Sequence, residues 1–422
     1  MKGRRDFIQK IAAGIAVPSL VSFGPSVKKN DQQINHDLSG EEFWDQIRAQ
    51  FPLTKDRVYF NNGTFGPAPY TVLKAMEQSN LHINTSGEYG QTDLEREKLA
   101  AFLSIKTKEL SLTHNTTEGI NIMAWGIALN PGDEVIVTTH DHAGNALPWL
   151  NRAKLHGIVL KTFTPAATGE ENLDIIQKLS GPKTKVVAIP HVTCTTGLVF
   201  PIKEIADFAR SRGIISAIDG AHGAGSFDLN LAELGCDFYA GCCHKWMTGP
   251  SGTAFLYVKE DMLERLQPYH IGGASDSGWD MSTVPPILKG YAPSARRFDY
   301  GTQSTTLMKG VTAATEFQLE IGKAKIESRI RELNQYLFDG LMEFSDQLEL
   351  LTPAEANSRI AMVAFRPKKL PYQQVGAELG KQGFRIRQVP EGGVNAIRIS
   401  THIYNTKEEL DQFLRILPAA LG

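Results

Sequence analysis

Cysteine is scarce: four residues among 422. Cys242 and Cys243 are adjacent, and Cys194 and Cys236 each stand apart, so no spaced thiol framework is present for a disulfide scaffold or a thiolate metal site. An excess of one charge is also missing. Forty-four Lys and Arg against 46 Asp and Glu give a net charge of -2, which leaves no electrostatic footprint for nucleic acid or an anionic membrane. No low-complexity tract or internal repeat breaks the chain. Neither a G-x-G-x-x-G nor a Walker lysine follows the first strand-like segment, which argues against a nucleotide-dependent α/β enzyme.

What is present begins with an unusual N-terminus. "MKGRRDFIQK" pairs Arg4 with Arg5 shortly before Phe7, and the apolar stretch "IAAGIAVPSLVSFG" follows. A basic head and a short apolar run too brief to span a bilayer comfortably resemble a twin-arginine export signal, with an amphipathic helix or uncleaved anchor as the other reading. The expected location is therefore periplasmic or exported, by way of the twin-arginine machinery, and cytoplasmic if that reading fails. From about residue 56, short apolar strands alternate with amphipathic helices. "DEVIVTT", "GIVLKTF", "TKVVAIP", "GIISAI" and "CDFYAG" read as strands, with helices such as "PIKEIADFARSR" between several of them. This alternation predicts an α/β domain with a mostly parallel sheet covered on both faces. Beyond about 310 the texture changes to the long helical stretch 308–344, short strands in "RIAMVAFRP", "GFRIRQV" and "AIRIS", and a final helix capped at Asn405-Thr406. The expected division is residues 1–30 as signal and linker, 31–310 as a large domain with its N-terminal segment, and 311–422 as a smaller α+β domain.

In open parallel sheets, ligands bind beyond the carboxyl ends of the strands. Five of the eleven histidines fall in loops leaving these strands: His140, His142, His191, His222 and His244. Lys245 follows "CDFYAGCCH", and Asp219 ends the neighbouring "GIISAID". A lysine amine becomes nucleophilic when its charged form is disfavoured. Pyridoxal 5'-phosphate is the cofactor that takes such a lysine as a Schiff base, and its pyridine nitrogen calls for a carboxylate. Adjacent strands lie about 5 Å apart, comparable to the width of a pyridine ring. Lys245 and Asp219 would bracket one ring, with the helix start "NTTEGIN" for the phosphate and His142 over the ring face. Taken singly, each of these residues has an ordinary reading as a cap, turn or loop residue; their joint placement at strand exits carries the inference.

"NNGTFGP", "NTTEGIN", "AIDGAHGAG", "HKWMTGPSGTAFLYV", "YGTQS" and "IRISTHIYNTKEEL" together resemble the class V aminotransferases among the fold type I pyridoxal-phosphate enzymes. The "THIYNT" ending is most similar to the isopenicillin N epimerase-like branch. The resemblance implies a large domain with a mostly parallel seven-stranded sheet, a smaller C-terminal α+β domain, and a homodimer with a shared active site. It implies that Lys245 carries the cofactor and shuttles the substrate α-proton, that Asp219 bonds the ring nitrogen, that His222 sits near the phenolic oxygen and that His142 stacks on the ring. It gives Thr116, Thr117 and His244 to the phosphate, Thr302 to the partner subunit's phosphate, Arg398 to the substrate α-carboxylate and Asn62 to the substrate side. No metal is implied. Desulfurases of this superfamily carry Asn where Cys194 stands, Ser where Cys242 stands, and a nucleophilic cysteine shortly before the final Arg-x-Ser. Here that region reads "RQVPEGGVNAIRIS", without a cysteine. The expected chemistry is epimerisation or transamination of a small α-amino acid through its α-carbanion, with C–S or β-elimination as the alternative. A rival of another class is an exported binding protein that kept the fold without catalysis.

Overall fold

In a computed structural model that describes residues 33–88 and 90–422, the alternating segments become a seven-stranded sheet. The strands are β1 (Leu110–Thr113), β2 (Glu134–Thr138), β3 (Val159–Phe163), β4 (Thr184–Pro190), β5 (Ile215–Asp219), β6 (Phe238–Cys242) and β7 (Ala254–Val258). Their spatial order is β1-β7-β6-β5-β4-β2-β3. Every pairing is parallel except the two that β7 makes, with β1 and β6. Period-two alternation sends Val186 and Ala188 of β4 into one core and Val187 and Ile189 into the other. Both faces are covered at the centre of the sheet, which is why β4 to β7 read as nearly unbroken apolar runs, while the edge strand β3, VLKTF, stays partly exposed.

The same polarity brings the exits of β2, β4, β5 and β6 to one edge of the sheet, and the parallel placement of β1 brings Asn115 there too. Asp219 pairs in register with Pro190 on one side and Ala240 on the other, so it ends a central strand.

The C-terminal region forms an antiparallel sheet in the order Leu348–Leu350, Met362–Pro367, Ala396–Ser400, Arg387–Val389. The helices Lys323–Met342, Tyr372–Lys381 and Lys407–Leu421 supply Leu337, Leu379 and Phe413 to the core beneath it. Residues near the N-terminus join this region. Val58–Tyr59 pairs in parallel with Phe384–Arg385, and Asn61 bridges Ser400. The long stretch 308–344 is two helices, Thr305–Ile321 and Lys323–Met342, because Gly322 turns the chain at φ 96°. Thr406 caps the last helix by accepting from Glu409 N, whereas Asn405 spends its amide on Tyr59 O and Glu409. No helix among the described residues is long and apolar enough to cross a membrane. The export reading of residues 1–30 lies outside the described residues.

Candidate active site

At that sheet edge a cavity of about 240 Å³ opens between the two regions. Thr116, Thr117, His142, Asp219, His222, His244, Lys245 and Arg398 all line it. Of the five strand-exit histidines, the structure keeps three at the cavity. His191 instead stacks on Phe227 at 4.8 Å and shares a 3.0 Å hydrogen bond with the Tyr239 hydroxyl, while His140 pairs with Thr195 Oγ1 at 3.1 Å. Thr302 sits in the exposed loop ahead of helix Thr305–Ile321, away from the cavity lining. Asn62 is fully buried just behind the lining and accepts from the Tyr404 hydroxyl at 2.9 Å.

Lys245 is held by its loop. Gly66 N donates to His244 O at 2.8 Å, and a Cβ on Gly66 would lie 1.9 Å from Lys245 O, so only glycine lets the two backbones meet this closely. Lys245 Nζ stands 3.4 Å from His222 Nε2. The indole of Trp246 donates to His222 Nδ1 at 3.1 Å, which assigns the proton of the neutral ring to Nε2, on the lysine side. Burial and the Lys245 cation hold His222 well below the usual histidine range, so the ring is neutral. Burial pushes the Asp219 carboxyl up. The Ala221 amide, which donates to it at 2.9 Å, and the Lys245 charge pull the other way. His142 caps helix Ala143–His156 by accepting from Gly144 N at 3.0 Å; burial, then Lys245, lowers its pKa.

The helix Thr116–Gly126 starts at the cavity, with Asn115 as its cap accepting from Glu118 N. Its remaining free amides form an anion cradle. Thr116 Oγ1 and His244 Nδ1 are buried without a well-formed hydrogen bond, with only the weak thiol of Cys242 beside Thr116 and the Thr253 backbone beside the His244 ring. A Cβ on Gly144 would fall 2.5 Å from Thr117 Oγ1, so that glycine keeps the same corner open. Orphaned polar atoms and a free helix terminus fit a phosphate, and a buried carboxylate across from a lysine fits a pyridine ring.

The chain matches the family model "Aminotransferase class-V" over residues 66–413. It belongs to the class V aminotransferase family. The isopenicillin N epimerase of Streptomyces clavuligerus is 30% identical over 401 residues, covering 90% of this chain and 98% of that one. A probable cysteine desulfurase of Halalkalibacterium halodurans is 31% identical over 402 residues, covering 87% and 95%. Among solved structures, a lysine-to-alanine mutant of C-DES with glycine covalently linked to its PLP cofactor superposes with a TM-score of 0.80 at 25% identity, covering 88% of this chain and 98% of that one. The cysteine desulfurase CsdA of Escherichia coli gives 0.79 at 25% identity, covering 90% and 98%. The family is pyridoxal-phosphate-dependent, and the cavity residues fit that cofactor.

On the side facing the C-terminal sheet, Arg398 is buried and donates to Cys194 O at 2.5 Å and to Thr64 Oγ1 at 3.3 Å, while its Nε has no partner. Gly63 makes room for it, since a Cβ there would lie 2.9 Å from Arg398 Nη2. Burial and a second guanidinium, that of Arg387, push Arg398 down to about 9. Arg387 lines the cavity as well and pairs in register with Arg398 across the sheet. Sequence reasoning missed Arg387. The Arg-x-Arg of "FRIR" shows two arginines on one face by period two, but the register that sets Arg387 opposite Arg398 is a property of strand pairing.

Proposed function

We propose that this enzyme acts at the α-carbon of a small amino acid, by epimerisation or transamination. The arrangement of Lys245, Asp219 and His222 around one cavity, with Arg398 opposite, carries this reading. Bound pyridoxal phosphate supplies an electron sink that makes the substrate α-proton removable. Lys245 Nζ is the nucleophile that would take its aldehyde, Asp219 the carboxylate for its ring nitrogen, and the Thr116–Thr117 corner with His244 the site for its phosphate. Arg398 would hold the substrate carboxylate and thereby fix which α-substituent points toward Lys245, the group placed to move the proton. His222, neutral, presents its Nε2 side to Lys245.

Persulfide chemistry of the kind named for the desulfurase relatives is disfavoured by the thiols themselves. All four cysteines are buried, and burial pushes Cys194 to about 11 and Cys236 to about 12. A sulfur nucleophile must be a thiolate. Elimination from a β-substituted amino acid is the second reading, since the name of one neighbour, a cystine C-S lyase, describes it and no cavity residue forbids it.

Borohydride reduction of the reconstituted protein should fix the cofactor on Lys245, and Lys245→Ala should abolish both fixation and turnover. Label on another lysine, or unchanged turnover, would sink the reading. Among amino acids, stereo-inversion or keto-acid formation should exceed β-elimination.

A homodimer is supported by the apolar side chains exposed along 269–288, including Met281 at 70% and Val284 at 98% exposure, just ahead of Thr302. Export is supported by the Arg4-Arg5 signal pattern. Arg4-Arg5→Lys-Lys should leave the enzyme in the cytoplasm, and continued export of that variant would refute the route.

A further inference from the structure

A second chamber, of about 620 Å³, adjoins the cofactor cavity, and the two share Thr64 and Arg387 in their walls. Arg57, Arg385 and Arg387 line it, and among the described residues no carboxylate does. Arg57 and Arg385 form no ion pair among the described residues. Arg385 spends one Nη1 bond on Ile386 O, and both side chains are exposed to the chamber's solvent. Their charges, with that of Arg398, act on one common neighbour, the phenol of Tyr59. At the neck, Arg387 gives Nη2 to Glu391, but its Nη1 is buried with no acceptor.

Two glycines form the helix wall of the chamber, Gly376 because a Cβ there would lie 2.6 Å from Gln388 Nε2. Gly376 and Gly380 lie four residues apart and so on one face of helix Tyr372–Lys381, where each costs about 1 kcal/mol of helix stability relative to alanine. A Cβ on Gly380 would meet nothing within 4 Å, so that side of the chamber is empty space. A buried donor without an acceptor, as at Arg387 Nη1, is unfavourable in isolation and is relieved by an anion, to which the exposed Arg57 and Arg385 would add charge-assisted contacts.

We propose that this chamber is a side-chain subsite for an α-amino acid that carries a second, terminal anionic group. The proposal rests on the functional reading above, with the α-carboxylate on Arg398. The side chain passes Thr64, and its distal anion meets Arg387 at the neck with Arg57 and Arg385 beyond. Glu391 holds the Arg387 guanidinium in place from the far edge, and leaves Nη1 for the substrate. Exposed arginines make this recognition sensitive to salt.

Equilibrium titration of the full chain, with and without cofactor, tests the subsite with ligands that have no amine: glutarate and adipate against pentanoate and hexanoate. The dicarboxylates should bind about tenfold more tightly than monocarboxylates of equal length, the gain of one charge-assisted contact, and lose that gain at high salt. Arg57→Gln/Arg385→Gln should erase the preference. Gly380→Leu, which fills the chamber without touching a charge, should do the same and serves if the double variant folds poorly. In turnover, glutamate should exceed norvaline in kcat/KM, through KM more than kcat. Equal binding of mono- and dicarboxylates, or a preference that survives both variants, would overturn the subsite. Cofactor fixation on Lys245 is scored in parallel. Fixation without a dicarboxylate preference removes the subsite and leaves the functional reading standing; a preference without fixation keeps the anion site and removes that reading.

Discussion

Asp141 follows β2, is buried beside His142 and accepts from Thr138 N at 3.1 Å. Burial pushes its carboxyl up to about 7, opposed by hydrogen bonds from Asn145 and Thr138 and reinforced by Asp219. The folded chain therefore keeps a proton that the unfolded chain releases between about pH 4 and 7. Its contribution to stability falls as pH climbs through that window and is level above it. From pH 5 to pH 8 the loss should be roughly 3 kcal/mol at about 1.4 kcal/mol per unit. Urea unfolding of wild type and Asp141→Asn at the two pH values should show the variant lacking this slope; an unchanged slope would assign the proton elsewhere. At this scale the sequence exposes the chemistry of Lys245, Asp219 and His142, because each directly follows a run of strand-forming residues. Strand-exit position alone does not separate His222 from His191; only the family resemblance does. Both follow such runs, and what divides them is tertiary: Tyr239 and Phe227 claim the ring of one, and Trp246 turns the other toward the lysine.

The loop that carries Lys245 is an element set by one contact with another. A methyl group at Gly66 would have to displace Lys245 O or the 61–66 turn, since neither backbone can yield like a side chain. Gly66→Ala should cost about 1–3 kcal/mol, the usual range for overpacking, and should also slow borohydride fixation at Lys245. Thermal melting with a fixation time course checks both, and a destabilised variant with normal fixation would make the contact purely structural. The strands and their order of appearance are legible because both faces are buried and the apolar runs are continuous. The turn at Gly322 is less so, since a glycine inside a helical pattern reads equally as a tolerated residue and as a stop. The pairing of Val58–Tyr59 with Phe384–Arg385 is invisible locally, because more than 300 residues separate the partners and two-residue strands leave no period to read.

On the scale of the whole molecule, that pairing means the C-terminal sheet region is completed by chain that precedes the cofactor-binding sheet. The clamp is Arg329. Its side chain is fully buried, donates through both Nη atoms to Glu41 at 2.8 and 2.7 Å, and reaches Glu332 at 2.9 Å. Its guanidinium carbon also sits 5.5 Å from the ring of Trp44. Helix Gly40–Arg48 is thereby fixed on helix Lys323–Met342, and Phe43, Trp44 and Ile47 share a core with Ile403 and Tyr404. Tyr404 in turn bonds Asn62, next to the Gly63–Thr64 wall shared with Arg398. Helix Gly40–Arg48 is thus connected to Arg398 through Tyr404, Asn62 and Thr64. Arg329→Met should free this helix at a cost of about 1 kcal/mol, because the half-exposed Glu41 and Glu332 lose their common hydrogen-bonding partner but regain water, while the methionine keeps part of the packing. Hydrogen exchange should rise first in residues 40–48 and then at 58–64, and substrate KM should rise more than kcat falls. Exchange confined to 40–48 with an unchanged KM would show that the arm is only a cover, and that the two arginine-bearing strands hold the substrate side without it.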